Sequence, residues 1–194
     1  MKRWNHIILA VCMAGAASAC SGDRKAADPA PADPAAVGTA GTAKPADRPD
    51  RADTNFVETM MADGTAEVAL GKMAQQKAST KQVKNFAAMM VRDHTKAGQE
   101  LQAVATHANV DMTKMDADMG DHKDLGERLS KLSGREFDRE YIKAMVDDHE
   151  KAVKDTKDKA EDADNDHVKQ WAAKALPVLE KHLNEAKRIQ DTLR

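Results

Sequence analysis

An all-α fold, an up-and-down four-helix bundle with a long connection between its second and third helices, is the architecture this sequence predicts. Three observations carry the prediction. Apolar residues recur at alternating spacings of three and four along four long segments between residues 53 and 194. Strand signals are missing: there is no alternating β-branched run and no Asn-Gly hairpin turn. Capping boxes open two of the segments, Ser79 with Gln82 and Ser133 with Glu136.

The first long helix is expected from about Thr54 to Lys77, with Phe56, Met60, Gly64, Glu67, Gly71, Ala74 and Ala78 along one face. A glycine inside a helix weakens it by roughly 1 kcal/mol; Gly64 and Gly71 are read as places where a neighbour comes close. The second long helix opens at Ser79 and carries Val83, Ala87, Met90, His94, Ala97, Leu101 and Val104. Residues 109–121 form the long connection. Its Met112, Met115 and Met119, with His122, read either as hydrophobic plugs over the bundle end or as a soft-metal cluster. A short extra helix with Leu125, Leu129 and Leu132 follows. The third long helix opens at Ser133 and presents Tyr141, Met145, His149, Ala152, Thr156 and Ala160. The fourth starts near Asn165 and presents Val168, Ala172, Leu179, His182, Ala186 and Ile189. Pro177 removes a backbone hydrogen bond inside it, so a kink is expected one turn before His182.

Ahead of this domain, residues 1–19 read as a signal peptide. Lys2 and Arg3 precede an apolar run from Ile7 to Ala17 that is too short to span a bilayer. Ala17-Ser18-Ala19-Cys20 resembles a bacterial lipoprotein signal, in which Cys20 becomes the lipidated first residue. An ordinary signal peptide cut near Ala19 is the alternative. After cleavage Cys20 is the last cysteine in the chain, so no intrachain disulfide can form. Ser21 after it favours, by the same resemblance, an outer-membrane lipoprotein on the periplasmic side of the envelope. Residues 20–52, rich in Ala and Pro, lack the apolar side chains to fold and read as a disordered tether. Residues 53–194 form the bundle domain. Lysines and acids mix to a net charge of −2, and the few aromatics form no stacking platform, which argues against a nucleic-acid partner. The expected partner is a membrane, reached through a lipid at Cys20; nothing identifies a protein partner.

The motif Met-Val-x-Asp-His occurs twice, at Met90–His94 and Met145–His149. Each copy puts an imidazole in the apolar stripe of a long helix; His182 and Glu67 do the same in the other two. All four lie near mid-helix and, at 1.5 Å per residue, within roughly 5 Å of one height in each helical hairpin. Three imidazoles and a carboxylate in one layer match a transition-metal ligand set for one zinc, copper or iron ion. Asp93 and Asp148 point about 100° away from the following histidine and are expected to orient a histidine on a neighbouring helix. Met90 and Met145, one turn from His94 and His149, are alternative ligands that would favour Cu(I). The competing reading is a self-satisfied polar layer, with Glu67 pairing with the histidines and no ligand at all.

These residues resemble an exported bacterial family, the domain of unknown function 4142. The resemblance rests on Ala-Glu-Val-Ala-Leu-Gly at Ala66–Gly71, the two Asp-His pairs, Phe-Asp-x-x-Tyr at Phe137–Tyr141 and Leu-Pro-x-Leu-x-x-His at Leu176–His182. It implies a ferritin-like bundle in an exported protein and brings no activity with it. The chain has no Glu-x-x-His motif of the di-iron type, which argues against ferroxidase chemistry. No nucleophile–base pair or phosphate-binding glycine loop is present either, so an enzyme is the least supported class. A binding module and a structural or interaction module of the envelope are the two leading classes.

Overall fold

Asp50 opens the first helix. Its carboxylate accepts the Asp53 N–H at 2.7 Å, satisfying one of the donors that every helix start leaves free. The computed structural model describes residues 50–112 and 120–194; the expected signal peptide, Cys20, nearly all of the tether, Met115 and Met119 lie outside them. The first helix, α1 (Arg51–Lys77), therefore begins three residues before Thr54 and takes in the end of the expected tether. Periodicity misses such a start because a cap is polar by necessity.

The second helix, α2 (Lys81–His107), is capped by Thr80, whose hydroxyl accepts the Val83 N–H at 3.3 Å. Ser79, the expected cap, is turned to Asp138 instead. The helix stops where Asn109 adopts a left-handed φ of 55°, a conformation its side chain tolerates. A short helix, α3 (Gly120–Lys131), interrupts the long connection. Ser133 precedes α4 (Gly134–Asp162) in extended conformation but makes no side-chain cap bond, so that capping box stays open. Asn165 caps α5 (Asp166–Thr192), its Oδ1 accepting from His167 N and Val168 N at 3.0 and 3.2 Å. The helix continues through Pro177.

Among the described residues the regular structure is five helices and no strand, arranged as a helical bundle. Helix α1 packs on α2 and α4, and α5 packs on α4 and α2, which leaves α2 and α4 facing each other across the core. The chain direction departs from simple alternation. Gly134, which opens α4, lies beside Ala78 at the α1–α2 turn. Asp53, at the start of α1, reaches the α4–α5 turn. Helix α4 thus begins at the end where α2 begins, and the two run parallel. Helix α3 is laid against α1 and α4.

Two buried aspartates lock these ends together. Asp138 accepts from Ser79 N, Ser79 Oγ and Thr80 N at 2.8, 2.8 and 2.9 Å. Asp53 accepts from Lys159 Nζ and Asn165 N at 2.7 and 2.8 Å. Each carboxylate, at the start of one hairpin, satisfies the turn of the other. Burying a charge without such partners would cost several kcal/mol.

The apolar core is divided in two. One cluster, around Leu70, Phe86, Phe137, Tyr141 and Ile189, fills the end with the α1–α2 turn. The other, around Phe56, Val57, Leu101, Val168 and Trp171, fills the opposite end. Leu125 and Leu129 of α3 join the first. Helices α1 and α2 come close at Gly71, where a Cβ would stand 2.8 Å from Val91 Cγ2 and 3.2 Å from the Ala87 carbonyl oxygen. Close approach, expected from the glycine alone, is what this position permits. Glu67, His94, His149 and His182 fall between the two clusters. No helix among the described residues is long and apolar enough to cross a membrane.

Candidate metal centre

Each of the four surrounding helices supplies one polar side chain to the layer between the clusters. Glu67 comes from α1, His94 from α2, His149 from α4 and His182 from α5. All four are buried, His149 completely. The three rings lie together: His94 is 5.5 Å from His149 and 5.2 Å from His182 between centroids, and His149 is 5.4 Å from His182. One ring nitrogen from each falls within 4.8 Å of the others.

The Met-Val-x-Asp-His repeat follows from the chain path. Because α2 and α4 run parallel and face each other, one five-residue pattern places His94 and His149 in matching positions across the core. The aspartate before each histidine points about 100° away, into the groove beside the next helix. There Asp93 Oδ2 meets His182 Nε2 at 3.1 Å. Asp148 does not reach any of the three clustered rings. It faces His122 of α3, whose Nε2 lies 3.8 Å from Asp148 Oδ2 and whose Nδ1 lies 3.8 Å from Asp63 Oδ1. Met90 and Met145 are fully buried members of the apolar cluster that holds Phe86 and Tyr141, and fill the core next to the layer. Met112 packs on the other cluster, as a hydrophobic plug does.

Glu67 touches two of the histidines, its Oε2 standing 3.0 Å from His94 Nδ1 and its Oε1 3.4 Å from His149 Nδ1. The carboxylate is thus a neighbour of ring nitrogens. Within the layer His94 Nε2 and His182 Nδ1 have no hydrogen-bond partner, and neither nitrogen of His149 makes a well-formed hydrogen bond, although Glu67 Oε1 and the Met145 backbone lie close to that ring. In His94 and His182 one nitrogen is held by a carboxylate and the other is bare. In His182 the division is that of metal-ligating histidines, whose far nitrogen donates to a carboxylate that fixes the tautomer, here Asp93.

Burial holds the layer neutral. It presses the His94 imidazole down to about 3, with His182 adding repulsion and Asp93 opposing. Burial also brings His149 down to about 3, reinforced by His94 and His182. His182 is lowered by burial against the pull of Asp93. Asp93 is itself kept low: burial pushes it up but is outweighed by the bonds from His182 and Arg92. Glu67 is raised well above the usual carboxylate range by burial, then by the charges of Asp148 and Asp63. Neutral imidazoles offer lone pairs, the form in which they ligate metals.

Three further residues lie beside this layer: Asp63, which the sequence did not single out, and His122 and Tyr141, which it placed in other roles. Asp63 stands one turn before Glu67 on α1, and i−4 spacing was the available signal. His122 lies on α3, three residues before Leu125 and seven before Leu129, the two α3 leucines that join the core. Tyr141 has a buried hydroxyl without a partner; burial and then Glu67 push its phenol far up.

A family model described as a domain of unknown function (DUF4142) matches residues 38–189, more than three quarters of the chain. No curated protein and no solved structure matches it.

Proposed function

We propose that this chain, which belongs to the DUF4142 family, is an exported, lipid-anchored, ferritin-like four-helix protein whose central histidine layer holds one transition-metal ion. The observation that carries the reading is the set of bare nitrogens on three mutually adjacent, buried, neutral imidazoles. Leaving such nitrogens unpaired costs roughly 1–3 kcal/mol each, and a metal ion between them would recover that. Atoms at most 4.8 Å apart share a centre no more than about 2.8 Å away, so each ring would move in by roughly 0.7 Å to make zinc–nitrogen bonds. In this reading His94, His149 and His182 are the ligands. Glu67 and Asp93 orient them, which moves Glu67 out of the ligand set its position on α1 first suggested. Imidazole suits zinc, copper and iron, and three such ligands leave a coordination position open.

Export and anchoring rest on the sequence of residues 2–20: the basic start, the apolar run and Cys20 after Ala-Ser-Ala. Metabolic labelling with a fatty acid tests this part, and a Cys20→Ala protein that still takes the label would refute it. The metal reading is tested by elemental analysis of untagged protein against the His94→Ala/His149→Ala/His182→Ala variant. Stoichiometric metal in the first and none in the second is the expected result; negligible metal in both would end it.

A second reading draws on the Glu67 contacts to both His94 and His149. There the layer satisfies itself, fixes helix register and binds nothing, as a structural envelope module. It predicts that replacing the layer by leucine preserves or raises stability and that chelators change nothing.

A further inference from the structure

Two of the three imidazoles, His94 and His182, border a groove. This groove of about 800 Å³ runs between α1, α2 and α5, and His94, His182 and Asp93 are among its lining. Its volume lies within the range of small-molecule sites. Met60, Met61, Leu101 and Trp171 give it apolar walls toward the α4–α5 turn. Val178, 40% exposed and the one large hydrophobic residue exposed among the described residues, is part of its lining. From the level of His94 to that of Leu101 the groove extends about 11 Å along the helix. Charge is unevenly placed. On the α2 wall Lys96 is paired with Glu100 at 3.5 Å, and Asp93 is engaged by His182 and Arg92. The α5 wall contributes Lys174 and Lys181.

We infer that this groove admits an amphipathic monocarboxylate, its head on the metal held by the histidines and its alkyl tail along the Met60–Trp171 wall. The inference rests on the metal reading above. Its own support is the juxtaposition of His94 and His182, each carrying one bare, buried nitrogen, with an apolar trench flanked by lysines. A monoanion offsets half the charge of a divalent ion held by three neutral ligands. The tail removes the exposed faces of Met60, Met61 and Val178 from water, which favours binding in proportion to the apolar area covered. An apolar trench with a few convergent polar groups at one end is the usual form of a small-molecule site. His149 is absent from the lining, so the groove meets the layer on its His94–His182 side.

The test uses full-length protein loaded with Co(II), whose visible absorption reports both metal uptake and a change of ligand. Octanoate is the probe, and acetate supplies the head without the tail. Gly98→Trp fills the groove, because a Cβ at Gly98 meets only Met61 Sδ at 3.9 Å. Val178→Glu, at an exposed position, sets a negative charge in the lining and guards against a folding defect in the first variant. The expected result is a saturable spectral change with octanoate, affinity for acetate lower by about tenfold or more, and a comparable loss of octanoate affinity in each variant. A Co(II) spectrum that octanoate leaves unchanged overturns the inference while the metal reading stands. Octanoate affinity that both variants leave intact also overturns it, since the tail then lies elsewhere. No Co(II) uptake removes the metal reading, and the inference with it.

Discussion

Lowering the pH of the metal-free protein should unfold it by charging imidazoles that the fold keeps neutral. His94 and His149 titrate near 6.5 in the unfolded chain and at about 3 in the folded one. Between those values the unfolded state binds more protons, so stability is full above pH 6.5 and falls as pH drops through that window. At pH 5.0 each residue has crossed about 1.5 pH units of it, at 1.36 kcal/mol per unit, which is roughly 2 kcal/mol each and about 4 kcal/mol for the pair. His182 adds in the same direction. Glu67 acts in the opposite sense. Its folded value is raised, so the folded state keeps a proton the unfolded chain has already lost, and stability is regained as pH falls toward 4.5. Asp63 and Asp148, also raised by burial, behave likewise. The measurement is therefore a difference. Urea unfolding in EDTA at pH 7.5 and 5.0 is compared between Glu67→Gln and the same protein carrying His94→Leu and His149→Leu. Both keep Asp63, Asp148 and His122, so those groups cancel. Glu67→Gln should lose about 4 kcal/mol more than the triple variant on acidification. A difference under about 1 kcal/mol, or a gain in stability on acidification that the leucines abolish, would mean that these imidazoles are charged in the fold, and the neutral layer would be refuted.

Other consequences concern the scaffold. Gly71→Ala should destabilise the bundle by about 1–3 kcal/mol, since the Ala87 carbonyl it meets belongs to backbone and cannot move aside as a side chain would; a melting temperature equal to that of the parent would show the helices free to separate there. Asp138→Ala leaves Ser79 and Thr80 N–H groups without their acceptor and should cost about 2–4 kcal/mol in urea unfolding. His122→Ala, which touches Asp63 and Asp148 but none of the three clustered rings, should leave metal content at the parent level by elemental analysis.

The helices and the layer were legible in the sequence because both depend on short-range periodicity. A residue's place along a helix, counted at 1.5 Å per step, sets its height whichever way the helix runs. That is why Glu67, His94, His149 and His182 could be brought to one level without knowing that α4 runs parallel to α2. The direction itself was not legible. It is fixed by contacts between distant segments, Asp138 with Ser79 and Thr80 and Asp53 with Asn165, and each of these aspartates looks like an ordinary polar residue near a helix start. The same path explains the repeated Met-Val-x-Asp-His motif, which makes no sense as a duplicated hairpin. It also separates the two aspartates: Asp93 finds His182 on α5, whereas Asp148 finds His122 because α3, not a long helix, lies beside it. Local capping was harder to read than packing. Thr80 displaced Ser79 as a cap because the serine had a better partner in the buried Asp138.

X-ray absorption at the metal edge of zinc-loaded, untagged protein examines the histidine layer most directly. Three imidazole nitrogens at about 2.0–2.1 Å, with one further light atom in the shell, is the expected first coordination sphere. A shell of oxygen atoms without the outer-ring scattering of imidazole, or a spectrum unchanged when His94, His149 and His182 are all alanine, would show that the metal sits elsewhere and that the layer is structural.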